Sequence, residues 1–267
     1  VRLLNMAPDE IATIADKNGM LPLHYVAGFG CASPGFVEQL INAFPDSRLC
    51  QTIYGDTPLH LLVANIQRRI AEGDCGMEVD DRLETVRVDR ETILLAEMLY
   101  QAKDQETSPL VIKNNDDRSP LHCCATFAAP TQLIRSLMDS PHAAEASTIA
   151  SKDGETPLHL AIIALITPTL GTQPNETALR RTLEDNILVL AIPPVCACVD
   201  KHGRTPLMLT VASKKLKATV VKSLIEVSPD STRVADNKGL LPLHVACQNR
   251  TIQLSIVRGE YFDGNGK

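Results

Sequence analysis

Histidine and cysteine are the residues of this chain whose chemistry could support catalysis or metal binding. The 267 residues include seven His and eight Cys. Two local clusters combine the types: Cys196-x-Cys198 with His202, and His122-Cys123-Cys124. The first lacks the two-residue spacing of a zinc knuckle and is not followed by a second Cys/His pair at a suitable distance. The three residues of the second all fall on one motif turn and helix start. We therefore predict no metal, no cofactor and no catalytic residue, and we interpret these cysteines as small core residues.

Other chemical signatures and bulk properties narrow the function classes further. No phosphate-binding glycine loop, nucleophile elbow or H-E-x-x-H motif is present. A net charge of −6 argues against nucleic-acid binding, which needs a basic face. No apolar run reaches 18 residues, so we expect no membrane insertion. We also expect no small-molecule substrate, reduced thiols rather than disulfides, and a cytoplasmic location, with the nucleus as the alternative.

A tetrapeptide of the form [TSL]-P-L-[HM] contains five of the seven His. It occurs six times, and three of the five Pro-to-Pro spacings are 36 or 37 residues. Because Met208 replaces His in the fifth copy, no single His chemistry runs through the set. We predict a structural role for the motif residues Pro22, His24, Pro58, His60, Pro120, His122, Pro157, His159, Pro206, Pro242 and His244.

The residues before each motif predict a tight turn. Three residues before each Pro lie Gly19, Gly55, Asp117, Gly154, Gly203 and Gly239. Gly reaches positive φ without strain, and Asp tolerates it better than most residues. Six residues before each Pro lie Asp16, Thr52, Asn114, Ser151, Asp200 and Asp236. Such short polar side chains hydrogen-bond to nearby backbone in turns.

Each turn is followed by sequence typical of two helices. Thr or Ser before Pro is a helix N-cap, whose hydroxyl accepts from a free amide while Pro occupies the first helical position. Apolar residues at three- and four-residue steps then predict second helices at 34–44, 90–101, 130–140, 176–190 and 218–228. The unit is therefore a turn, a short helix, a second helix and a return.

This pattern resembles the ankyrin repeat over essentially the whole chain. The resemblance implies an all-α solenoid of stacked antiparallel helix pairs with hairpin-like loops, in one domain, 1–267. The expected units are a partial unit at 1–15, then 16–51, 52–113, 114–150, 151–199, 200–235 and a partial unit at 236–267, with an insertion at about 69–89. We expect both ends to be cut from a longer array. The family's Gly after the first helix survives only as Gly30, so several first helices should be longer than usual.

The resemblance also implies a function. In ankyrin proteins the hairpin tips and first helices line a concave surface that binds partners, and the motif His makes structural hydrogen bonds at the hairpin base. We expect a non-catalytic protein-interaction scaffold with an unidentified protein partner. The alternative is a regulatory domain of a larger enzyme, kinase-like protein or membrane channel. A metal or small-molecule site in the insertion is a weaker possibility.

The candidate contact residues follow from those positions. Aromatic side chains are the first choice because such anchors dominate binding at interfaces. The alternative for Phe29 and Phe127 is packing beneath a neighbouring loop. The candidates are Tyr54, Phe127, Phe29, Met20, Asp56, Arg118, Lys152, Glu155, His202, Arg204 and Lys238.

Overall fold

The computed structural model describes residues 8–30, 33–72, 79–80, 85–86, 89–101, 107–167, 176–213 and 218–248. Within these ranges the chain forms fourteen α-helices and two short strands. The first helices of the units are α2 (Pro22–Phe29), α4 (Pro58–Glu72), α6 (Pro120–Thr126), α9 (Pro157–Ile166), α12 (Pro206–Ala212) and α14 (Pro242–Gln248). The second helices are α3 (Pro34–Ala43), α5 (Arg90–Tyr100), α7 (Thr131–Met138), α10 (Glu176–Leu190) and α13 (Ala218–Val227).

The motif prolines determine where the first helices begin. All six start at the motif Pro, because a residue that lacks an N–H loses no hydrogen bond at the first helical position. Helix α4 has 15 residues and α9 has 10, whereas α6, α12 and α14 have seven each. The expected longer helices thus occur in the second and fourth units, which are also the two units with the most residues.

The helices pack in two layers. The first helices contact one another in the order α2, α4, α6, α9, α12, α14, and the second helices in the order α3, α5, α7, α10, α13. The motif leucines Leu23, Leu59, Leu121, Leu158 and Leu207 are at most 2% exposed. They belong to a single hydrophobic core that runs through the stack. The predicted all-α solenoid is confirmed.

Each unit before residue 236 also contains a short third helical segment, where the repeat pattern predicts only a return. In the described residues these segments are α1 (Pro8–Thr13), α8 (Ala143–Thr148), α11 (Pro193–Cys196) and the 3₁₀ turns Pro45–Arg48, Pro109–Val111 and Pro229–Arg233. All but α8 begin at a Pro. That second column of prolines was the available signal, since Pro favours the first position of any helical turn.

The insertion predicted in the second unit includes the end of α4 and two short strands. Residues 69–72 form the last turn of α4. Strand β1 (Val79–Asp80) pairs antiparallel with β2 (Thr85–Val86), and Val79 lies opposite Val86. β2 lies beside α10 of the fourth unit. The segment 168–175, the partial ends 1–7 and 249–267, and Cys31 and Cys75 lie outside the described residues.

Candidate interaction surface

The six predicted turns all have the backbone conformation that the sequence requires. The residues of the turn column have φ between 58° and 79°, and Asp117 is the non-Gly residue with positive φ in the described ranges. The short polar side chain before each turn accepts backbone N–H groups. Asp16 Oδ1, for example, accepts from Asn18 and Met20, both at 2.8 Å. These side chains hold the hairpin tips in one conformation.

Backbone hydrogen bonds join most neighbouring hairpins into a ladder. The bonds run from the N–H of Ile53 to Asn18 O, Asn115 to Tyr54 O, Lys201 to Asp153 O, and Asn237 to His202 O, at 2.9–3.0 Å. Within the described hairpins of the third and fourth units, no equivalent bond joins Lys152 to Asp116.

Three of the motif histidines, His60, His122 and His159, connect their unit to the next one. Nδ1 of His122 accepts the N–H of Ser119 at 3.2 Å. Because that N–H can only donate, the ring proton resides on Nε2, which donates to Glu155 O at 3.1 Å. His24, His60 and His159 make the same pair of bonds, and their Nε2 atoms donate to Cys50 O, Arg118 O and Arg204 O. Both ring nitrogens are therefore used structurally.

Burial alters the acid–base behaviour of these side chains. Desolvation lowers the pKa of His24, His60 and His159, and it lowers the pKa of His122 to about 4. These rings are neutral near pH 7.

The cysteines that the sequence analysis considered as ligands are also affected by burial. It raises the pKa of Cys123 and of Cys196 to about 11, so both thiols stay protonated at neutral pH. In the described parts of the chain, no three His, Cys, Asp or Glu side chains converge as metal ligands would.

The hydroxyl groups before the motif Pro behave differently from the prediction. Only Thr205, where Met208 replaces His, has its hydroxyl accept a backbone amide in the predicted way, from Met208 at 3.3 Å. In the His-containing units the hydroxyl lies against the imidazole: Thr57, Ser119 and Thr156 Oγ are 2.7–2.9 Å from Nδ1. Because Nδ1 accepts a backbone N–H and so carries no proton, the hydroxyl donates to it.

The predicted aromatic residues lie in different environments. Tyr54, at the second hairpin tip, is 63% exposed, and Phe29, at the end of α2, is 57% exposed. Phe127 is half-buried and packs against the core. It lines a cavity of about 260 Å³ between the ends of α4 and α9, above the short helix α6. Packing beneath its neighbours thus describes Phe127, whereas Phe29 faces solvent.

The structure adds a residue that the sequence analysis did not include. Tyr25 stacks on Phe29 with ring centroids 6.0 Å apart and an angle of 13° between the planes. Its hydroxyl donates to Asp16 Oδ2 at 2.8 Å. Tyr25 and Phe29 are four residues apart on one helix, and that spacing was the available signal. We call Tyr25, Phe29, Ile53 and Tyr54 the aromatic surface; they are 42–63% exposed.

The remaining candidates divide into exposed and half-buried groups. Lys152, His202 and Lys238 are exposed. The half-buried candidates are Met20, Asp56, Arg118, Glu155 and Arg204. Several of these already serve the fold: Asp56 Oδ1 accepts from Asn114 Nδ2 at 2.9 Å, and Arg204 Nη2 pairs with Asp200 Oδ2 at 2.6 Å.

Comparisons with known proteins bear on the fold. No protein-family model and no curated protein matches the sequence. A solved structure, titled "Crystal Structure of EF0377 an Ankyrin Repeat Protein", is similar at a TM-score of 0.59, covering 93% of this chain and 100% of that one. The chain has the ankyrin-repeat fold. At 16% identity the likeness is one of fold, and it agrees with the turns, helix pairs and histidine links of this ankyrin-repeat stack.

The ankyrin-repeat arrangement brings the elements that carry these residues next to one another. Asp16 comes from the first hairpin, Tyr25 and Phe29 come from α2, and Tyr54 comes from the second hairpin. The hairpin ladder and the packing of α2 on α4 hold these elements together.

Among the described helices, none is both long and apolar enough to cross a bilayer.

Proposed function

We propose that this chain is a non-catalytic scaffold that binds a protein partner through the concave surface formed by its hairpin tips and first helices. The observation that carries the proposal is the aromatic surface. Its three aromatic side chains, Tyr25, Phe29 and Tyr54, are 42–63% exposed, although the chain contains only nine Phe and Tyr residues and no Trp. Exposed apolar patches on soluble proteins mark interaction sites, and buried aromatic anchors contribute much of the binding energy.

The rigidity of the hairpins supports this role. Tyr54 lies at a tip whose backbone is fixed by Thr52 on one side and by the bond from Asn115 on the other. Phe29 is held by stacking on Tyr25, whose hydroxyl is in turn held by Asp16. A surface that is ordered before binding loses little conformational entropy when a partner docks.

The state of the reactive side chains supports a non-catalytic role. The described motif histidines that link units are buried, neutral and hydrogen-bonded through both ring nitrogens. Burial raises the pKa of Cys123 and Cys196, which disfavours the thiolate that nucleophilic catalysis needs.

The test is affinity capture from a lysate of the source cells with quantitative mass spectrometry. We compare the wild type with Tyr54→Ser and Phe29→Ser. The matched control is Leu188→Ser, since Leu188 is 44% exposed but lies on α10 in the second-helix layer. We expect a partner whose recovery falls about tenfold or more with each aromatic variant, the range for an interface anchor, and is unchanged with Leu188→Ser.

Circular dichroism melts of all four proteins must coincide, so that a loss of binding is separated from a loss of folding. A set of captured proteins that is the same for the wild type and both aromatic variants would remove the aromatic surface as the binding site. Phe127→Ala provides a contrast: because Phe127 is half-buried, we expect it to lower the melting temperature.

A further inference from the structure

The aromatic surface has a carboxylate at its edge. Asp16 Oδ2 accepts the Tyr25 hydroxyl at 2.8 Å, so the charged group lies at the hydroxyl edge of the Tyr25 ring, which stacks on Phe29. The backbone N–H of Met20 and the Tyr25 hydroxyl lower the pKa of Asp16, and the carboxylate is ionised at neutral pH. In the described part of the chain no Lys or Arg forms an ion pair with Asp16.

Two attractive effects for a cation coincide at this place. The faces of Tyr and Phe rings carry negative electrostatic potential, which attracts Lys and Arg side chains within about 6 Å of the ring centre. A guanidinium is planar and weakly hydrated, so it stacks well on an aromatic ring and can also pair with a carboxylate. An anchor site made of apolar residues alone would have no carboxylate beside its rings and would attract a cation less.

The exposure of the residues leaves room for such a group. Tyr25 is 42% exposed and Phe29 is 57% exposed. The Asp16 Oδ1 atom is occupied by two backbone N–H groups, whereas Oδ2 has one hydrogen-bond partner, the Tyr25 hydroxyl. An ionised carboxylate oxygen accepts more than one hydrogen bond, so Oδ2 has capacity for a donor from a partner.

We infer that the partner bound by the aromatic surface inserts an Arg or Lys side chain over the Tyr25–Phe29 ring pair, where it pairs with Asp16. This rests on the proposed function, because it specifies the partner's chemistry at the same surface. The recognised feature is a basic side chain, whose cation meets Tyr25, Phe29 and Asp16.

The experiment is a selection from a randomised peptide library on the immobilised wild-type chain, followed by affinity measurements on the enriched peptides. We expect enrichment of Arg or Lys. Replacing that residue by norleucine, which keeps the apolar stem and removes the charge, should weaken binding about tenfold.

Variants of the protein then separate the two contributions. Asp16→Asn keeps a side-chain oxygen for the turn but removes the charge, and we expect affinity for the basic peptide to fall about two- to fivefold. Phe29→Leu keeps an apolar side chain and removes the ring, with a similar expected loss. The matched control is Asp236→Asn, since Asp236 makes the same turn contacts with Lys238 and Leu240 in the last described hairpin, and it should leave affinity unchanged.

Three outcomes are distinguishable. If basic peptides are enriched and lose affinity with both Asp16→Asn and Phe29→Leu, the inference holds. If enriched peptides depend on Phe29 and Tyr54 but contain no basic residue, or are insensitive to Asp16→Asn, the inference is wrong and the proposed function stands. If the enriched peptides bind equally well to Phe29→Ser and Tyr54→Ser, the proposed surface itself is wrong.

Discussion

The junction between the third and fourth hairpins differs from the junction between the fourth and fifth. Between the fourth and fifth, Lys201 N–H donates to Asp153 O, the Lys201 and Asp153 side chains form an ion pair, and His159 donates to Arg204 O. Between the third and fourth, the His122 bond to Glu155 O is present, but no backbone bond joins the described hairpins.

The turn residues account for this difference. A Cβ on Gly154 would lie 2.8 Å from Lys201 N, closer than real Cβ atoms approach other atoms, and 3.1 Å from Asp200 C, which is a tight contact. In the third unit the same position is Asp117, which has a Cβ and a φ of 58°. Glycine is therefore needed at position 154 for two reasons: the close approach of the next hairpin and the positive φ. Asp can adopt the positive φ, but its Cβ prevents the close approach.

The largest effect that tests this comparison is expected for Gly154→Ala. Positive φ costs a residue with a Cβ about 1 kcal/mol, and contact with the backbone at Lys201 should add about 2 kcal/mol by displacing the fifth hairpin. The matched control is Gly239→Ala, since Gly239 has φ of 76° but nothing within 4 Å of an added Cβ. Urea unfolding should show a loss about three times greater for Gly154→Ala; equal losses would show that conformation alone requires Gly.

An intermediate effect is expected for His122→Met, which copies the Met208 of the fifth unit. It removes the His122 link at a junction that has no hairpin ladder bond, so we expect a loss of about 2 kcal/mol at pH 7. His159→Met should cost less, because the Lys201 bonds to Asp153 remain. An equal or larger loss for His159→Met in urea unfolding would contradict this ranking.

The same variant gives a prediction about pH. The pKa of His122 is about 4 in the folded chain and near 6.5 when unfolded. The unfolded state therefore binds the proton first, so this contribution is complete above pH 6.5 and is lost as pH falls towards 4. The stability difference between wild type and His122→Met should shrink between pH 7.5 and 4.5. A difference that stays constant would show that His122 is not held neutral by the fold.

The smallest effect is expected for Asp117→Gly. It removes the strain at positive φ and loses an exposed ion pair with Lys113 at 3.8 Å, which is worth little. We expect a gain of about 0.5 kcal/mol and slower hydrogen exchange at Lys152 as the hairpins approach each other. Asp116→Gly, one residue earlier, should give no gain. Unchanged exchange at Lys152 would mean that the Asp117 Cβ does not keep the hairpins apart.

The sequence predicts the repeated parts of this molecule because each rests on local chemistry. A Gly or Asp in the turn, a short polar residue before it and a Pro at the helix start all act within about eight residues, and the structure has each of them in place. The hydrogen bonds from His122 to Glu155 and between the hairpins form only when units stack. Local sequence patterns therefore show which residues make such bonds but not which residues accept or donate at the other end.

The candidate surface was less predictable. Counting positions from Pro treats Phe29 and Phe127 as equivalent, but α2 ends at an exposed Gly30 turn whereas Phe127 lies between the longer helices α4 and α9. The neighbouring units, and not the residue's own position, determine its exposure. Tyr25 was missed because the repeat places mostly apolar core residues around it, and only its i, i+4 relation to Phe29 distinguishes it.

The contact between β2 and α10 has a consequence for how the chain unfolds. Arrays of this type are usually treated as a sum of intrinsic unit stabilities and nearest-neighbour terms. Strand β2 of the second unit contacts α10 of the fourth, so these two units touch directly although the third lies between them in the chain. Loss of the fourth unit would remove support from the second, and the middle of the array should therefore melt as one cooperative block while the terminal units fray independently.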